Sequence, residues 1–255
     1  MTPRPTLSVI IPAFNEEARL ASTLEQVVSQ LESMRMTWEV LVVNDGSLDS
    51  TAAAAALWSR REPRVRLVDL PHAGKGAAVR HGMMAAHGEW RFIADVDLSM
   101  PISHLPRFFE MADREDAPIV IASREVPGAR RFNEPLSRHV VGRIFNVMAR
   151  LFLVRGITDT QCGFKLFRRE AAEALFPLQQ LDGFGFDVEI LALADRAGFA
   201  VRELPVEWHW APNSKVTLAS GARGFADLLR IRWNLWLGRY QPEVSAVRAK
   251  MPHGR

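Results

Sequence analysis

Hydrophobic and polar positions alternate in two different rhythms along the first half of the chain. Short runs rich in β-branched and other apolar residues are separated by longer stretches of helical character. This order is typical of βαβ units, so an α/β fold with a mostly parallel, Rossmann-like sheet flanked by helices is predicted. The predicted strands are Leu7–Ile11, Glu39–Val43, Val65–Leu70, Trp90–Ala94 and Ile119–Ala122. The predicted helices between them are Glu16–Met34, Ser50–Arg61, Lys75–His87 and Ile102–Ala112.

The pattern changes after Ser123, where a polar loop leads into segments that mix arginines with large apolar residues. The elements predicted here are a helix at Arg138–Val154 closed by Gly156, a strand at Phe164–Phe167, a helix at Asp187–Ala197, a strand at Ala200–Val206 and a helix at Gly221–Leu237. Residues 1–240 are expected to form one domain, and residues 241–255 a disordered tail.

The amino-acid composition limits the partners and the cellular location that can be expected for this chain. The 255 residues carry 32 lysines and arginines against 29 acidic residues, a net charge of +3. This excess is too small to predict a nucleic-acid partner. Cys162 is the only cysteine, which excludes an internal disulfide and makes the cytoplasm the default location. No apolar run reaches about 18 residues, so any contact with a membrane is expected at its surface.

Two carboxylates, Asp95 and Asp97, follow the fourth predicted strand. In open α/β sheets ligands bind at the carboxyl ends of the strands, so these side chains are expected at the ligand-binding edge. Mg²⁺ and Mn²⁺ take one or two protein carboxylates and complete their coordination with water and phosphate oxygens, which makes the pair a candidate metal site. Asp-x-Asp alone is a weak pattern, and a solvated turn explains it equally well.

Two more motifs stand at neighbouring strand ends. Asp45, in Asn-Asp-Gly-Ser, would accept hydrogen bonds from a nucleobase, although the same residues are ordinary turn chemistry before a helix N-cap. Lys75, in Gly-Lys-Gly at a predicted helix start, combines free backbone N–H groups with a charge that suits phosphate. No serine or threonine follows this lysine, so the motif is not a Walker A sequence. Three such motifs along one sheet edge are poorly explained by coincidence.

The sequence resembles the family 2 glycosyltransferases of the GT-A fold, and within them the dolichyl-phosphate glucosyltransferases, with the dolichyl-phosphate mannose synthases as near relatives. The motifs that carry the resemblance are V-I-I-P-A-F-N-E-E, V-V-N-D-G-S, G-K-G, D-V-D-L-S, D-T-Q-C-G-F-K-L-F, F-D-V-E and N-S-K. The resemblance implies a nucleotide-sugar donor, a polyprenyl phosphate acceptor and inversion at the anomeric carbon. UDP-glucose is the favoured donor and GDP-mannose the runner-up.

The resemblance also implies roles for individual residues. The nucleoside would lie against Pro12, Ala13, Asn15, Glu17 and Asp45. Mg²⁺ or Mn²⁺ would bind Asp95 and Asp97, and the donor phosphates would meet Lys75 and, from a loop over the diphosphate, Lys215. The acceptor phosphate would meet Arg124, Ser137 and Arg138, because arginine grips two phosphate oxygens at once. Residues 7–123 would form the nucleotide-sugar-binding half, and residues 124–240 the half that faces acceptor and membrane.

Catalysis is assigned to Asp97, through the metal, and to two residues of the second half. Asp187 is the best match to the aspartate that serves as general base in many family 2 enzymes, and a helix N-cap is the alternative. An acceptor phosphate is already ionised near neutral pH and scarcely needs a base, so orienting the sugar is the other role for Asp187. Gln161 would hydrogen-bond sugar hydroxyls. Glu189 is explained as a first-turn acid and Cys162 as core packing.

Two amphipathic segments, Arg138–Arg155 and Arg223–Tyr240, place arginines beside large apolar residues. Tryptophan and arginine together suit the interfacial layer of a bilayer, so these helices are predicted to lie on a membrane surface. Two ordinary helices that close the core are the alternative. The protein is therefore expected to be peripheral at the inner face of the membrane. There are two rival functions. One is sugar transfer to a soluble acceptor, and the other is a nucleotide-sugar sensor or scaffold that keeps the fold without catalytic turnover.

Overall fold

The computed structural model describes residues 4–210 and 218–240, and within them the side chains of all but residues 137, 138 and 218–222. The strands are β1 (Leu7–Ala13), β2 (Trp38–Asp45), β3 (Val65–Leu70), β4 (Trp90–Ile93), β5 (Ile119–Ser123), β6 (Arg130–Phe132), β7 (Lys165–Arg168), β8 (Val201–Pro205) and β9 (Glu207–His209). Seven of them form one sheet in the order β3-β2-β1-β4-β7-β5-β8, and β6 pairs with β9 in a second sheet.

Helices cover the large sheet on its two faces. They are α1 (Leu20–Ser33), α2 (Thr51–Arg61), α3 (Lys75–Ala85), α4 (Leu105–Arg114), α5 (Leu136–Phe152), α6 (Arg169–Leu175), α7 (Phe186–Ala197) and α8 (Leu218–Trp236). The pairs β1–β2, β1–β4, β2–β3 and β5–β8 are parallel, whereas β7 runs antiparallel to β4 and β5. The predicted mostly parallel sheet is therefore present.

Alternate residues of the central strands face opposite layers of the core. In β1, Ile10 packs with α3 and α5–α8, while Val9 and Ile11 pack with α1, α2 and α4. β2 divides in the same way, with Val43 on the first side and Val42 on the second. Because each face of the sheet is buried, these strands appear in the sequence as nearly continuous apolar runs.

The five strands and four helices predicted before Ser123 are present, with ends that shift by a few residues. The largest shift is in α1, which begins at Leu20 rather than Glu16. The N–H of Glu16 donates to the side chain of Thr51 (2.7 Å) and that of Glu17 to Asp49 (3.1 Å). These bonds shape the segment after β1 as a loop docked on the segment after β2, so the helix starts only beyond it.

The second half contains elements that were not predicted. The strand predicted at Phe164–Phe167 and the helices α5, α7 and α8 are present within a few residues of their predicted bounds. Gly156 does not close α5 as predicted, because the helix ends at Phe152 with Leu153 as its C-cap. Helix α6 has only seven residues, and β6 and β9 have three each. Segments this short do not establish a hydrophobic period, so their sequence pattern does not predict a helix or a strand. The predicted tail, residues 241–255, lies outside the described residues.

Candidate active site

Asp95 and Asp97 lie in a turn directly after β4, at the carboxyl end of the strand. The N–H of Leu98 donates to the carbonyl of Asp95 (3.2 Å), and the N–H of Ser99 donates to Oδ1 of Asp97 (3.0 Å). Leu98 has a φ of +42°, a left-handed conformation that is uncommon for leucine. The turn therefore holds the two carboxylates close together at the edge of the sheet where the sequence predicted them.

Asp95 lies between a positive side chain and a glycine. Nζ of Lys75, the first residue of α3, is 2.6 Å from Oδ1 of Asp95. On the other side, a Cβ added to Gly163 would lie 1.9 Å from Oδ2 of Asp95, so a larger residue would displace the carboxylate. Burial alone would lower the pKa of Lys75, but the charges of Asp95 and Asp187 outweigh it and raise that pKa. Lys75 is therefore a charged counter-ion to Asp95 near neutral pH.

The two carboxylates fit a divalent cation. Burial alone would raise the pKa of Asp95, but Lys75 outweighs it and lowers that pKa. Burial, and then the charge of Asp95, raise the pKa of Asp97, so the two negative groups crowd one another. No three His, Cys, Asp or Glu side chains cluster in the described part of the chain in a way that would hold an ion. Asp95 and Asp97 would therefore supply two oxygen ligands, and water and diphosphate the others.

A buried ion pair belongs to the same charged group. Nζ of Lys165, in β7, donates to Oδ1 of Asp187 (2.6 Å) and also to the carbonyl of Cys162. Burial raises the pKa of Asp187, and the charges of Lys165 and Lys75 offset only part of that rise. The N-cap alternative for Asp187 is wrong, because the N-cap of α7 is Gly185. The structure places Asp187 close enough to Asp95 for the two charges to interact, and one oxygen of Asp187 accepts the hydrogen bond from Lys165.

Asp45, the last residue of β2, holds the loop that leads into α3. Its carboxylate accepts hydrogen bonds from the N–H groups of Ala73 (2.8 Å) and Gly74 (3.0 Å), and Oδ2 lies 2.9 Å from Nδ1 of His72. Gly74 has a φ of +122°, which favours glycine. The carboxylate predicted to meet a nucleobase is thus used by the chain itself, and it fixes the segment that ends at Lys75.

The segment after β1 contains the other predicted nucleoside contacts, Pro12, Ala13, Asn15 and Glu17. Pro12 and Ala13 end β1 beside β2. Oδ1 of Asn15 accepts from the N–H of Leu48 (2.8 Å), and Oε2 of Glu17 accepts from the N–H of Ser50 (2.8 Å). These four residues therefore lie at the same edge as Asp45, and two of their side chains join the segments that follow β1 and β2.

An aromatic pair at this edge is not among the residues predicted from the sequence. The rings of Phe14 and His72 are stacked, with centroids 4.2 Å apart and an angle of 21° between the planes. Phe14 is an aromatic residue among polar loop residues, and that contrast is the signal that points to it. The pair adds aromatic surface to the segment that also carries Asn15 and Glu17.

Arg124, predicted to hold the acceptor phosphate, is bound to a buried carboxylate. Its Nε and Nη2 donate to Oδ2 (2.7 Å) and Oδ1 (2.8 Å) of Asp159, whose side chain is fully buried. Burial alone would lower the pKa of Arg124, but Asp159 outweighs it and raises that pKa. The guanidinium carbon also lies 5.3 Å from the ring centre of Trp208. A phosphate would have to meet the guanidinium edge that Asp159 leaves free.

The structure describes only some of the remaining residues that were predicted to contact the acceptor or the donor. Gln161 lies half-buried beside the Arg124 ion pair, and its N–H donates to Oδ1 of Asp159 (3.2 Å). The side chains of Ser137 and Arg138 fall outside the described residues, as does the whole of Lys215. The roles given to these three residues stay predictions.

Glu189 does more than a first-turn acid would. Its buried carboxylate accepts hydrogen bonds from the N–H groups of Gln180 (3.0 Å) and Leu181 (2.9 Å) and from the hydroxyl of Tyr240 (2.5 Å). A Cβ on Gly76 would lie 2.6 Å from the carbonyl oxygen of Leu181, so this loop packs directly on the start of α3. Glu189 therefore links Tyr240, just after α8, to the loop at Gln180 and Leu181 that packs on the start of α3.

Helices α5 and α8 have a buried face and an exposed apolar face. Phe145 packs edge to face on Phe225 at 5.4 Å, and Leu228 and Ile231 are buried in the core, as the core-closing alternative predicted. Large apolar side chains remain exposed at Leu136, Val140, Val141, Ile144, Val147, Leu151 and Phe152, and at Leu229, Trp233, Trp236 and Leu237. Within the described residues, no helix has the length and apolar character needed to cross a bilayer.

Comparison with known proteins identifies the family. The model of glycosyl transferase family 2 matches residues 8–176. A dolichyl-phosphate beta-glucosyltransferase of Trichomonas vaginalis is 36% identical over 253 residues, covering 92% of this chain and 76% of that protein. A dolichyl-phosphate beta-glucosyltransferase of Saccharomyces cerevisiae is 32% identical over 255 residues, covering 92% of this chain and 76% of that protein.

The fold is shared with a solved structure. Glucosyl-3-phosphoglycerate synthase from Mycobacterium tuberculosis, in complex with Mn²⁺, UDP-glucose and phosphoglyceric acid, superposes with a TM-score of 0.66 at 21% identity, covering 90% of this chain and 80% of that chain. The predicted GT-A architecture is thereby confirmed, as is the family resemblance carried by the strand-end motifs. The chain belongs to glycosyl transferase family 2.

Proposed function

We propose that this protein transfers glucose from UDP-glucose to a dolichyl-type polyprenyl phosphate, with inversion at the anomeric carbon. One observation carries the proposal: Asp95, Asp97 and Lys75 lie together at the carboxyl edge of the sheet in a chain whose relatives include several dolichyl-phosphate beta-glucosyltransferases of 32–37% identity. The carboxylates suit a metal-bound diphosphate, and the relatives indicate the sugar and the acceptor.

On the donor side, this chain would bind the nucleotide across the ends of β1 and β2, beside the segments that hold Asn15, Glu17 and Asp45. Asp95 and Asp97 would hold Mg²⁺ or Mn²⁺, which when bound offsets the negative charge that develops on the departing diphosphate. Lys75 would contact the diphosphate from the start of α3, where the positive end of the helix dipole also favours an anion.

On the acceptor side, the phosphate would attack the anomeric carbon from the face opposite the diphosphate. Arg124, Ser137 and Arg138 are the proposed contacts, and Lys215 would close over the donor. A phosphate monoester is largely ionised at neutral pH, so no proton has to be removed before attack. Asp187, already bonded to Lys165, therefore acts in this proposal with Gln161 to orient the sugar.

The experiment that tests the proposal offers the protein three labelled donors with polyprenyl phosphate: UDP-glucose, GDP-mannose and UDP-N-acetylglucosamine. We expect label from UDP-glucose to enter the organic phase in a metal-dependent reaction, and the Asp97→Asn variant to serve as the inactive control. Label from GDP-mannose instead would make the protein a mannosyltransferase. Label that stays in a water-soluble product would overturn the lipid acceptor.

The exposed apolar faces of α5 and α8 would place the acceptor half on the inner surface of a membrane. The side chains of Leu151 and Trp236 are 74% and 70% exposed, and exposed arginines flank them at Arg143, Arg150, Arg230 and Arg232. Tryptophan and arginine favour the interfacial layer, and each arginine near an anionic surface contributes about 1 kcal/mol that salt weakens.

Wild-type protein should therefore sediment with vesicles that contain phosphatidylserine at low salt and dissociate as salt rises. The double variant Trp233→Ser/Trp236→Ser should sediment several-fold less while UDP binding is unchanged. Leu57→Ser/Met84→Ser is the matched control, because it removes two exposed apolar side chains from α2 and α3. Wild-type protein that stays in the supernatant at low salt would contradict the membrane-surface proposal.

A further inference from the structure

We infer that Lys75 is an exchangeable counter-ion, which neutralises Asp95 before the donor binds and transfers to the diphosphate when metal and nucleotide enter together. The inference rests on the proposed function, because it assumes a metal-bound diphosphate at Asp95 and Asp97. It goes further by assigning Lys75 two successive partners and by making metal binding depend on the nucleotide.

The two lysines of the site differ in how firmly they are held. The side chains of Lys165 and Asp187 are 2% and 6% exposed, and Lys165 also donates to the carbonyl of Cys162. The side chains of Lys75 and Asp95 are 22% and 31% exposed. Lys165 is therefore locked in the interior, whereas the Lys75–Asp95 pair is open to an incoming ligand.

The backbone around Lys75 is fixed, so that only its side chain has to move. Asp45 holds the N–H groups of Ala73 and Gly74, and the N–H of Ala77 donates to the carbonyl of Asp182 (3.1 Å). A Cβ on Gly76 would lie within 3 Å of three backbone atoms of the 181–183 loop. A lysine side chain has four flexible carbons, so its ammonium can change partners without movement of the helix.

Charge explains why the exchange is needed. An ammonium 2.6 Å from Oδ1 of Asp95 would stand within a few ångströms of any divalent ion bound to the same carboxylate, and the two cations would repel one another. Lys75 and the metal therefore compete for Asp95. A diphosphate ends the competition, because it offers the ammonium a new anionic partner beside the metal. Metal and nucleotide should then strengthen each other's binding, and by linkage the effect is reciprocal.

Binding of Mn²⁺ without nucleotide tests the inference, with the paramagnetic resonance signal of free aqueous Mn²⁺ as the readout. Lys75→Met removes the competing charge and should bind Mn²⁺ alone at least about tenfold more tightly than wild type. The same variant should bind UDP more weakly in saturating Mn²⁺. Each ligand should then raise the binding affinity of the other much less than it does in wild type. Lys75→Gln should behave in the same way.

Two controls separate charge from other effects. Lys75→Arg keeps the positive charge at the site and should keep the weak affinity of wild type for Mn²⁺ alone. Arg60→Met removes one positive charge from the exposed end of α2 and should change neither binding constant. Thermal melting of each variant confirms that the comparison is made between folded proteins.

The outcomes distinguish the inference from the proposed function. If Lys75→Met and Lys75→Gln bind Mn²⁺ alone no more tightly than wild type, the exchange is wrong, even where wild-type protein binds Mn²⁺ and UDP together. If wild-type protein binds neither UDP nor Mn²⁺ in the presence of the other, the proposed function fails as well. Tighter Mn²⁺ binding by both neutral variants, and by neither control, supports the inference.

Discussion

Replacing Asp97 by asparagine should lower the rate of sugar transfer by at least about 10²-fold, equivalent to roughly 2.7 kcal/mol of transition-state stabilisation. Asp97 lies in the turn after β4, and its carboxylate accepts a hydrogen bond from the N–H of Ser99. An amide oxygen can still accept that hydrogen bond, so the turn should survive. The negative charge that would hold the metal is lost, and with it the cation that offsets charge on the leaving diphosphate.

The measurement is the initial rate of label transfer at saturating donor, with the melting temperature recorded for each protein. Asp113→Asn is the matched control, because it makes the same chemical change at an exposed position on α4. Wild-type protein in excess chelator should show a comparable loss. Near-normal transfer by Asp97→Asn, or by wild type in chelator, would mean that Asp95 and Asp97 do not hold a catalytic metal.

Replacing Asp159 by asparagine should destabilise the protein by about 3–5 kcal/mol, the range seen when one partner of a buried ion pair is removed. The side chain of Asp159 is fully buried and bonds two nitrogen atoms of Arg124, together with the N–H groups of Arg124 and Gln161. Asparagine leaves the guanidinium buried without a counter-charge. We expect a fall of roughly 10 °C in melting temperature for a chain of this length.

The control is Glu207→Gln, since Glu207 faces Arg130 at 3.8 Å across an exposed pair. An exposed pair of this kind contributes about 1 kcal/mol at most, so the melting temperature should hardly change. If Asp159→Asn lowers the melting temperature as little as the control does, the Arg124–Asp159 pair does not have this stabilising role.

The effect of Asp159 should depend on pH in a defined direction. Burial alone would raise the pKa of Asp159, but Arg124 outweighs it and holds that pKa well below its usual range. A depressed carboxyl pKa stabilises the fold fully above the unfolded-state value of about 3.9 and progressively less as pH falls below it. The gap in stability between wild type and Asp159→Asn should therefore be constant at neutral pH and narrow as pH falls below about 4.

The strands and motifs of the first half could be predicted because their signals are local. Buried strands such as β2 need apolar residues at nearly every position, and the parallel order places their carboxyl ends along one edge. The sequence therefore predicts that Asp45, Lys75, Asp95 and Asp97 share one site. Helix α6 and the β6–β9 pair were not predicted, because they are too short to repeat a pattern.

The fold class, the family and the sheet edge that carries the charged residues can all be predicted from the amino-acid sequence alone. The pairing of the charges, in contrast, is visible only in the folded chain: Lys75 pairs with Asp95, Lys165 with Asp187, and Arg124 with Asp159. The same is true of the loop held by the carboxylate of Asp45 and of the space that Gly163 leaves for Asp95. A hydrophobic period is a property of neighbours along the chain, whereas the partner of a buried charge depends on distances through space between segments that are far apart in sequence.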